Sequence, residues 1–192
     1  KEGIMGFDLR GLKPNDEPVP DEPNWLDGNK WAIEQKEAWM SWQKNTPGAY
    51  FRNNVWYWRP LWNFVCEVCN DILTEKDMEL GMENSGHVIS KTKAKKIAAR
   101  LRKIDKDLED HQIGHERYMN TLKDIECDLC HGTGRRNDDI GVSARNADPN
   151  YTCNGCNGKG TRRPFETSYP FNAKNVREFE KFCNHSGGFD IW

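Results

Sequence analysis

No apolar run in this chain of 192 residues approaches the ~20 that a membrane helix needs. No charged-then-apolar leader opens it, so the expected compartment is reducing cytoplasm, the host cytoplasm if a phage encodes it. A single-signed charge is also missing. The 28 basic and 30 acidic residues leave a formal charge of −2, which excludes a globally basic nucleic-acid coat. Hydrophobic residues are scarce at 36%, and the mean hydropathy is −0.93. None of the five histidines sits in HExxH, and neither GxSxG nor a P-loop is present. Catalysis therefore has little support. An enzyme would have to use His87, in an Asn-Ser-Gly-His loop, or Cys66.

Tryptophan and cysteine are plentiful. Eight tryptophans can build a core from few residues, because each buries a large area. Seven cysteines, an odd number set mostly in CxxC pairs, suit metal binding better than a disulfide framework. Cys127-Asp-Leu-Cys130-His-Gly-Thr-Gly134 and Cys153-Asn-Gly-Cys156-Asn-Gly-Lys-Gly160 repeat one pattern, CxxCxGxG. Two residues between thiols let both sulfurs reach one ion, and tetrahedral zinc takes four ligands. Each pair is half a site, so one structural Zn²⁺ on Cys127, Cys130, Cys153 and Cys156 is expected. The glycines let the chain turn sharply past the second sulfur of each pair. An arginine doublet follows each repeat, Arg135-Arg136 and Arg162-Arg163, available to grip phosphate or to pair with Asp138 and Asp139.

This segment, about residues 124–166, resembles the cysteine-rich zinc domain of the DnaJ (Hsp40) chaperones. That family carries four such repeats and two zinc ions; the two repeats here imply one. The J-domain tripeptide His-Pro-Asp is absent, so co-chaperone activity is not implied. The inhibitor of the tryptophan RNA-binding attenuation protein also carries two repeats, which makes a protein partner one reading of the segment.

Cys66 and Cys69 share a face of an expected helix, and with Cys183 and His185 they spell a second CxxC…CxH set. The competing reading, core packing of small apolar thiols, is favoured because no turn residue separates the pair. Trp56, Tyr57, Trp58, Arg59 and Trp62 either stack a nucleobase or fill the core, with Arg59 reaching out to solvent. Arg52 and two asparagines precede that helix, where an anion could meet free backbone N–H groups. Pro60 suits its first turn.

Ala94, Ile97, Leu101, Ile104 and Leu108 mark the strongest helix, capped by Ser90. It bears Lys91, Lys93, Lys95, Lys96, Arg100, Arg102, Lys103 and Lys106, with acids only towards its end. This polarity opposes the helix dipole. Either an acidic partner such as nucleic acid, meeting Lys95 and Lys96, compensates, or the face is simply solvated.

A strand is expected over 4–11 and another at 189–192, paired with each other. Residues 13–23 read as a Pro-rich linker, and 25–44 as a helix with Trp31, Ala38 and Trp42 on one stripe. Residues 82–89 and 135–152 read as loops, and Asn172 caps a last helix. The expectation is an α+β fold: a small sheet, three or four helices and an inserted zinc-knuckle hairpin. The core would be 1–123 with 167–192, interrupted by 124–166, with 13–45 as a further insertion.

Met-Gly-Phe-Asp-Leu-Arg-Gly near the start, Tyr-Phe-Arg-Asn-Asn-Val-Trp-Tyr-Trp-Arg-Pro-Leu-Trp in the middle and Ser-Gly-Gly-Phe near the end resemble a family of bacterial and phage proteins. The resemblance brings no activity with it. The function expected is non-enzymatic binding of an anionic nucleotide or nucleic acid, a regulatory task if the origin is a phage. The alternative is a protein partner held by the zinc hairpin. No membrane is involved in either.

Overall fold

The computed structural model describes residues 6–192. Two compact units divide the chain. One runs up to Ile113 and includes Pro170–Trp192; the other is Gly114–Tyr169.

The first unit is α+β. Strands β1 (Gly6–Gly11), β2 (Tyr50–Asn54), β3 (His87–Ser90) and β6 (Gly188–Ile191) form an antiparallel sheet in the order β2-β1-β6-β3. The C-terminal strand pairs with the N-terminal one, Leu9 opposite Ile191 and Arg10 opposite Asp190. Ile4 and Met5 of the expected strand lie outside the described residues. Period-two alternation sends Phe7, Leu9, Ile89, Phe189 and Ile191 into the core. Asp8, Arg10 and Asp190 take the opposite face.

Five helices belong wholly to this unit: α1 (Lys30–Asn45), α2 (Val55–Val68), α3 (Glu75–Leu80), α4 (Lys91–Lys103) and α7 (Ala173–His185). With α5 (Leu108–Thr121) and α6 (Asp139–Ala147) the described residues hold seven, not three or four. The surplus is short elements with weak periodicity, α3 and α6, and one division. The apolar stripe from Ala94 to Leu108 belongs to two helices, because α4 stops at Lys103. A 3-10 turn over Asp105–Asp107 separates them, in which the Asp105 carbonyl accepts from the Leu108 N–H, and Arg177 of α7 bonds the Asp105 carboxylate at 2.5 Å.

Asn54 caps α2 by accepting from the Tyr57 N–H at 3.1 Å, so the helix starts five residues before Pro60 instead of at it. Trp58 and Trp62 have no exposed surface. Trp58 stacks on Phe7 at 5.4 Å and on Trp62 at 5.3 Å, and meets Phe179 edge-on at 5.8 Å. Both indoles find acceptors: Trp58 Nε1 donates to the Gly81 carbonyl at 2.8 Å, and Trp62 Nε1 to that of Met78 at 3.0 Å. These bonds pin the end of α3 to α2. In α1 the expected stripe holds only in part: Trp42 is half-buried as expected, but Trp31 and Ala38 are exposed, and Ala32 (buried) and Trp39 (half-buried) are covered instead.

In the second unit, β4 (Ile125–Glu126) and β5 (Thr161–Arg162) pair as a two-stranded ribbon, and α6 occupies the expected long loop. Asp138 caps α6 by accepting from the Gly141 N–H at 3.0 Å. No helix among the described residues is long and apolar enough to cross a membrane.

Truncating Trp58 to alanine should cost about 3–5 kcal/mol in denaturant unfolding, as large buried aromatics do. Trp31→Ala, at an exposed position, should change stability by no more than about 0.5 kcal/mol.

Candidate metal centre

Each CxxC segment turns so that its two sulfurs point inward, and the glycines make this possible. Gly132, Gly134, Gly158 and Gly160 all have φ between 73° and 80°, a region costly for other residues. Space gives a second reason. A Cβ on Gly134 would lie 2.3 Å from the Gly158 carbonyl oxygen, and one on Gly160 would lie 2.3 Å from that of Gly132. The two knuckles thus interlock reciprocally. The Cys127 N–H donates to the Gly160 carbonyl at 2.9 Å and the Cys153 N–H to the Gly134 carbonyl at 2.8 Å. Amides also face the sulfurs: Gly134 N–H to Cys130 at 3.3 Å and Gly160 N–H to Cys156 at 3.2 Å.

All four Sγ atoms lie within 4.8 Å of one another, and all four residues are buried. Cys127 and Cys153 sulfurs are 3.8 Å apart, and those of Cys130 and Cys156 3.7 Å. A tetrahedron with metal–sulfur bonds of about 2.3 Å has edges of about 3.8 Å. The quartet therefore fits a single soft ion, and no other group of three or more His, Cys, Asp or Glu among the described residues does. Burial pushes the Cys130 thiol up to about 11. At Cys156 burial acts the same way but is outweighed by the Gly160 amide and the neighbouring thiols, and the value falls to about 7.

The arginine doublets are largely committed inside the unit. Arg136 is buried and bonds both Asp138 oxygens, with Nε to Oδ1 at 3.0 Å, and donates to Asn154 at 3.1 Å. Arg162 pairs with Asp128 at 3.0 Å. Arg163 donates to the Met119 carbonyl at 2.6 Å and to the Leu122 carbonyl, closing the end of α5. Arg135 is exposed.

The second cysteine set does not assemble into a metal site. Cys69 and Cys183 are buried in the first unit's core with Cys66 packed against it. Burial pushes Cys66 up to about 12, Cys69 to about 11 and Cys183 well above its ordinary value. Neutral thiols of this kind are poor ligands and poor nucleophiles. The imidazole of His185 bonds Asn15 Oδ1 at 3.0 Å instead.

Of the aromatic set expected to stack a nucleobase, Trp58 and Trp62 are sealed in the core and present no face to a ligand, whereas Tyr57 keeps an exposed ring. Arg59 is exposed. Arg52 lies 3.6 Å from Asp8, and the N-terminus of α2 is already capped by Asn54. On α4, Lys91 pairs with Asp16, Lys93 with Asp77, Arg100 with Asp71 and Arg102 with Glu180. Lys95 bonds the Asn184 carbonyl, and Lys96 is exposed. Acids from the rest of the unit thus supply much of the compensation that the helix dipole requires.

His87 Nε2 lies 3.0 Å from Asp77 Oδ1. Asp77 is buried, and its other oxygen accepts from the Thr74 N–H at 2.8 Å, the Thr74 hydroxyl at 2.7 Å and the Lys93 ammonium. This hub joins α3, β3 and α4. Asp77 was not among the residues expected to matter, yet Thr74-Glu-Lys-Asp77 is a readable capping box. Burial works to raise its carboxyl, but Lys93, Thr74 and His87 together hold it well below the usual carboxylate range.

A depressed native pKa stabilises the fold above the ordinary carboxylate value of 3.8, and that contribution is lost as pH falls below it. Asp77→Asn should therefore lower the melting temperature at pH 7 and narrow its gap to the unaltered protein below about pH 4. Gly134→Ala should disrupt the knuckle interlock, read as loss of amide-exchange protection at Cys153, with the first unit's melting unchanged.

Family models, curated proteins and solved structures were each compared with the chain, and none matches.

Proposed function

We propose that the protein is a zinc-dependent, non-enzymatic binding protein whose second unit is a DnaJ-like pair of knuckles inserted into the α+β core. The observation that carries this is the composition of that unit's interior. Its cluster of buried hydrophobic residues consists of Cys127, Cys130, Cys153 and Cys156. So small an apolar interior supplies little folding energy, and a metal ion bound by four thiolates supplies what is missing. Zinc suits an all-sulfur tetrahedral set and has no redox chemistry of its own. Four thiolates close its shell and leave no position for a reacting water, so the ion is structural.

A protein partner is the better-supported ligand class for this unit. Arg136, Arg162 and Arg163 are engaged internally, whereas Leu129, Ile125, Ile140 and Phe165 expose apolar surface. Leu129 sits between the two sulfurs of the first knuckle, so the ion would fix its position directly.

Metal analysis should give one zinc per chain and no visible iron–thiolate absorbance; a ratio near two or an iron spectrum would contradict the assignment. Cys153→Ser should abolish zinc binding and open residues 127–163 to proteolysis, while the first unit melts as before. A photo-crosslinking residue at Leu129 should give a discrete, zinc-dependent polypeptide adduct in cells that the same residue at exposed Leu26 does not. Salt-dependent oligonucleotide binding that Arg135→Glu weakens would instead favour nucleic acid, with a log–log slope of about −0.7 to −0.9 per phosphate contact.

A further inference from the structure

A cavity of about 190 Å³ lies in the first unit, where the chain beyond β1 meets the end of α7. Its wall holds no apolar side chain: Asn15, Asp16, Lys95, Asn184, His185 and Gly187 line it. All six are exposed or half-buried, so each keeps surface that a solute reaches. Asn15 and Asp16 have φ of 52° and 64°. Among the described residues the other non-glycine residues with positive φ are His131 and Asn157, which belong to the two knuckles. Backbone held in this region is costly, and such strain concentrates at functional sites.

The polar ends on the wall form one hydrogen-bonded chain with a fixed direction. The Lys95 ammonium, which only donates, bonds the Asn184 carbonyl and lies 3.5 Å from Asn184 Oδ1. That turns Asn184 Nδ2 to His185 Nε2, at 3.2 Å. An amide nitrogen does not accept, so Nε2 accepts and the imidazole proton sits on Nδ1. Nδ1 donates to Asn15 Oδ1 at 3.0 Å. The chain ends at the Asn15 amide nitrogen, whose two hydrogens have no acceptor among the described residues. Lys95 and Asn184 Nδ2 each retain a further N–H. The wall therefore holds donors in excess.

Charge favours the same class of ligand. Lys91 pairs with Asp16, and Lys13 and Lys95 also act on that carboxyl, which is held below its ordinary range chiefly by the Lys91 hydrogen bond. Three ammonium groups and one carboxylate sum to +2 at the cavity. Lys95 also covers the Asn184 carbonyl at the negative end of α7. The cavity between α4 and α7 differs, since its Arg102 and Glu180 pair with each other, as do its Arg177 and Asp105.

We propose that the cavity at the end of α7 binds a small oxyanion of the phosphate kind, as the free ion or as the phosphoryl group of a small ester. Its oxygens accept charge-assisted hydrogen bonds from Lys95 and from the Asn15 and Asn184 amides. A cation would meet the surplus of ammonium groups instead. The volume is below that of drug-sized pockets and suits a single phosphoryl group.

Nuclear magnetic resonance titration of the full-length, metal-loaded protein at constant ionic strength tests the proposal. Sodium phosphate should shift the amide signals of residues 15–16 and 184–187 saturably, and acetate should bind more weakly. Lys95→Met and Asn15→Asp should each weaken phosphate about tenfold, as loss of a charge-assisted bond does. Asn15→Asp still accepts from His185 and tolerates positive φ, so it exchanges only the free donor for a negative charge. Asp16→Asn removes the opposing carboxylate and should tighten phosphate about threefold, the scale of an exposed charge. A wall that is merely structural would not give shifts of opposite sign. Glycerol phosphate identifies the source: tighter than free phosphate, it marks an ester; weaker, the ion itself. Should Lys95→Met or Asn15→Asp fail to fold, the other decides. No saturable shift, acetate equal to phosphate, an unchanged affinity in a folded Lys95→Met or Asn15→Asp, or an Asp16→Asn that does not tighten phosphate would overturn the proposal.

Discussion

Four sulfur atoms within 4.8 Å of one another are the constraint on which the second unit depends. The cysteines form that unit's buried hydrophobic cluster, so the ribbon β4–β5 and the loops beside it have little else to fold around. Deprotonated, four thiolates in so small a space repel one another, and a divalent cation removes that repulsion. Everything nearby serves this geometry. Glycines allow the left-handed turns, amides point at two of the sulfurs, and the cross-bonds between Cys127 and Gly160 and between Cys153 and Gly134 make each knuckle the support of the other. The arginines that follow the glycines act as struts, holding Asp138, Asp128 and the end of α5.

The first unit is held together by different physics. Its core is aromatic and continuous from Phe7 through Trp58 and Trp62 to Phe179 and Phe189. Few apolar residues suffice because each ring covers a large area, and both buried indoles spend their N–H on backbone carbonyls of the α3 region. At the edge of this core Asp77 gathers Thr74, His87 and Lys93, so one buried carboxylate sets the relation of a helix, a strand and the start of another helix. A buried charge is tolerable there because each of its oxygens is bonded.

Charge is settled mostly within the chain. The cations of α4 meet Asp16, Asp71, Asp77 and Glu180, and Arg177 meets Asp105 and Glu109. The near-neutral composition is thus reflected in local pairing.

Local spacing was enough to read the four cysteines as one cluster, because two-residue gaps and positive-φ glycines act over a few bonds. The α+β class, the Ser90 and Asn172 caps and the two terminal strands as strands were legible for the same reason: period two, period three-to-four and cap chemistry are short-range rules. What spacing could not supply was the direction a side chain takes once distant elements pack. Tertiary structure sealed Trp58 in the core, and it left Trp31 and Ala38 of α1 exposed while covering Ala32 and Trp39. It also packed Cys66, Cys69 and Cys183 into the first unit's core and turned the His185 ring to Asn15. A sequence pattern carries no record of which distant group fills a given hydrogen bond or covers a given ring.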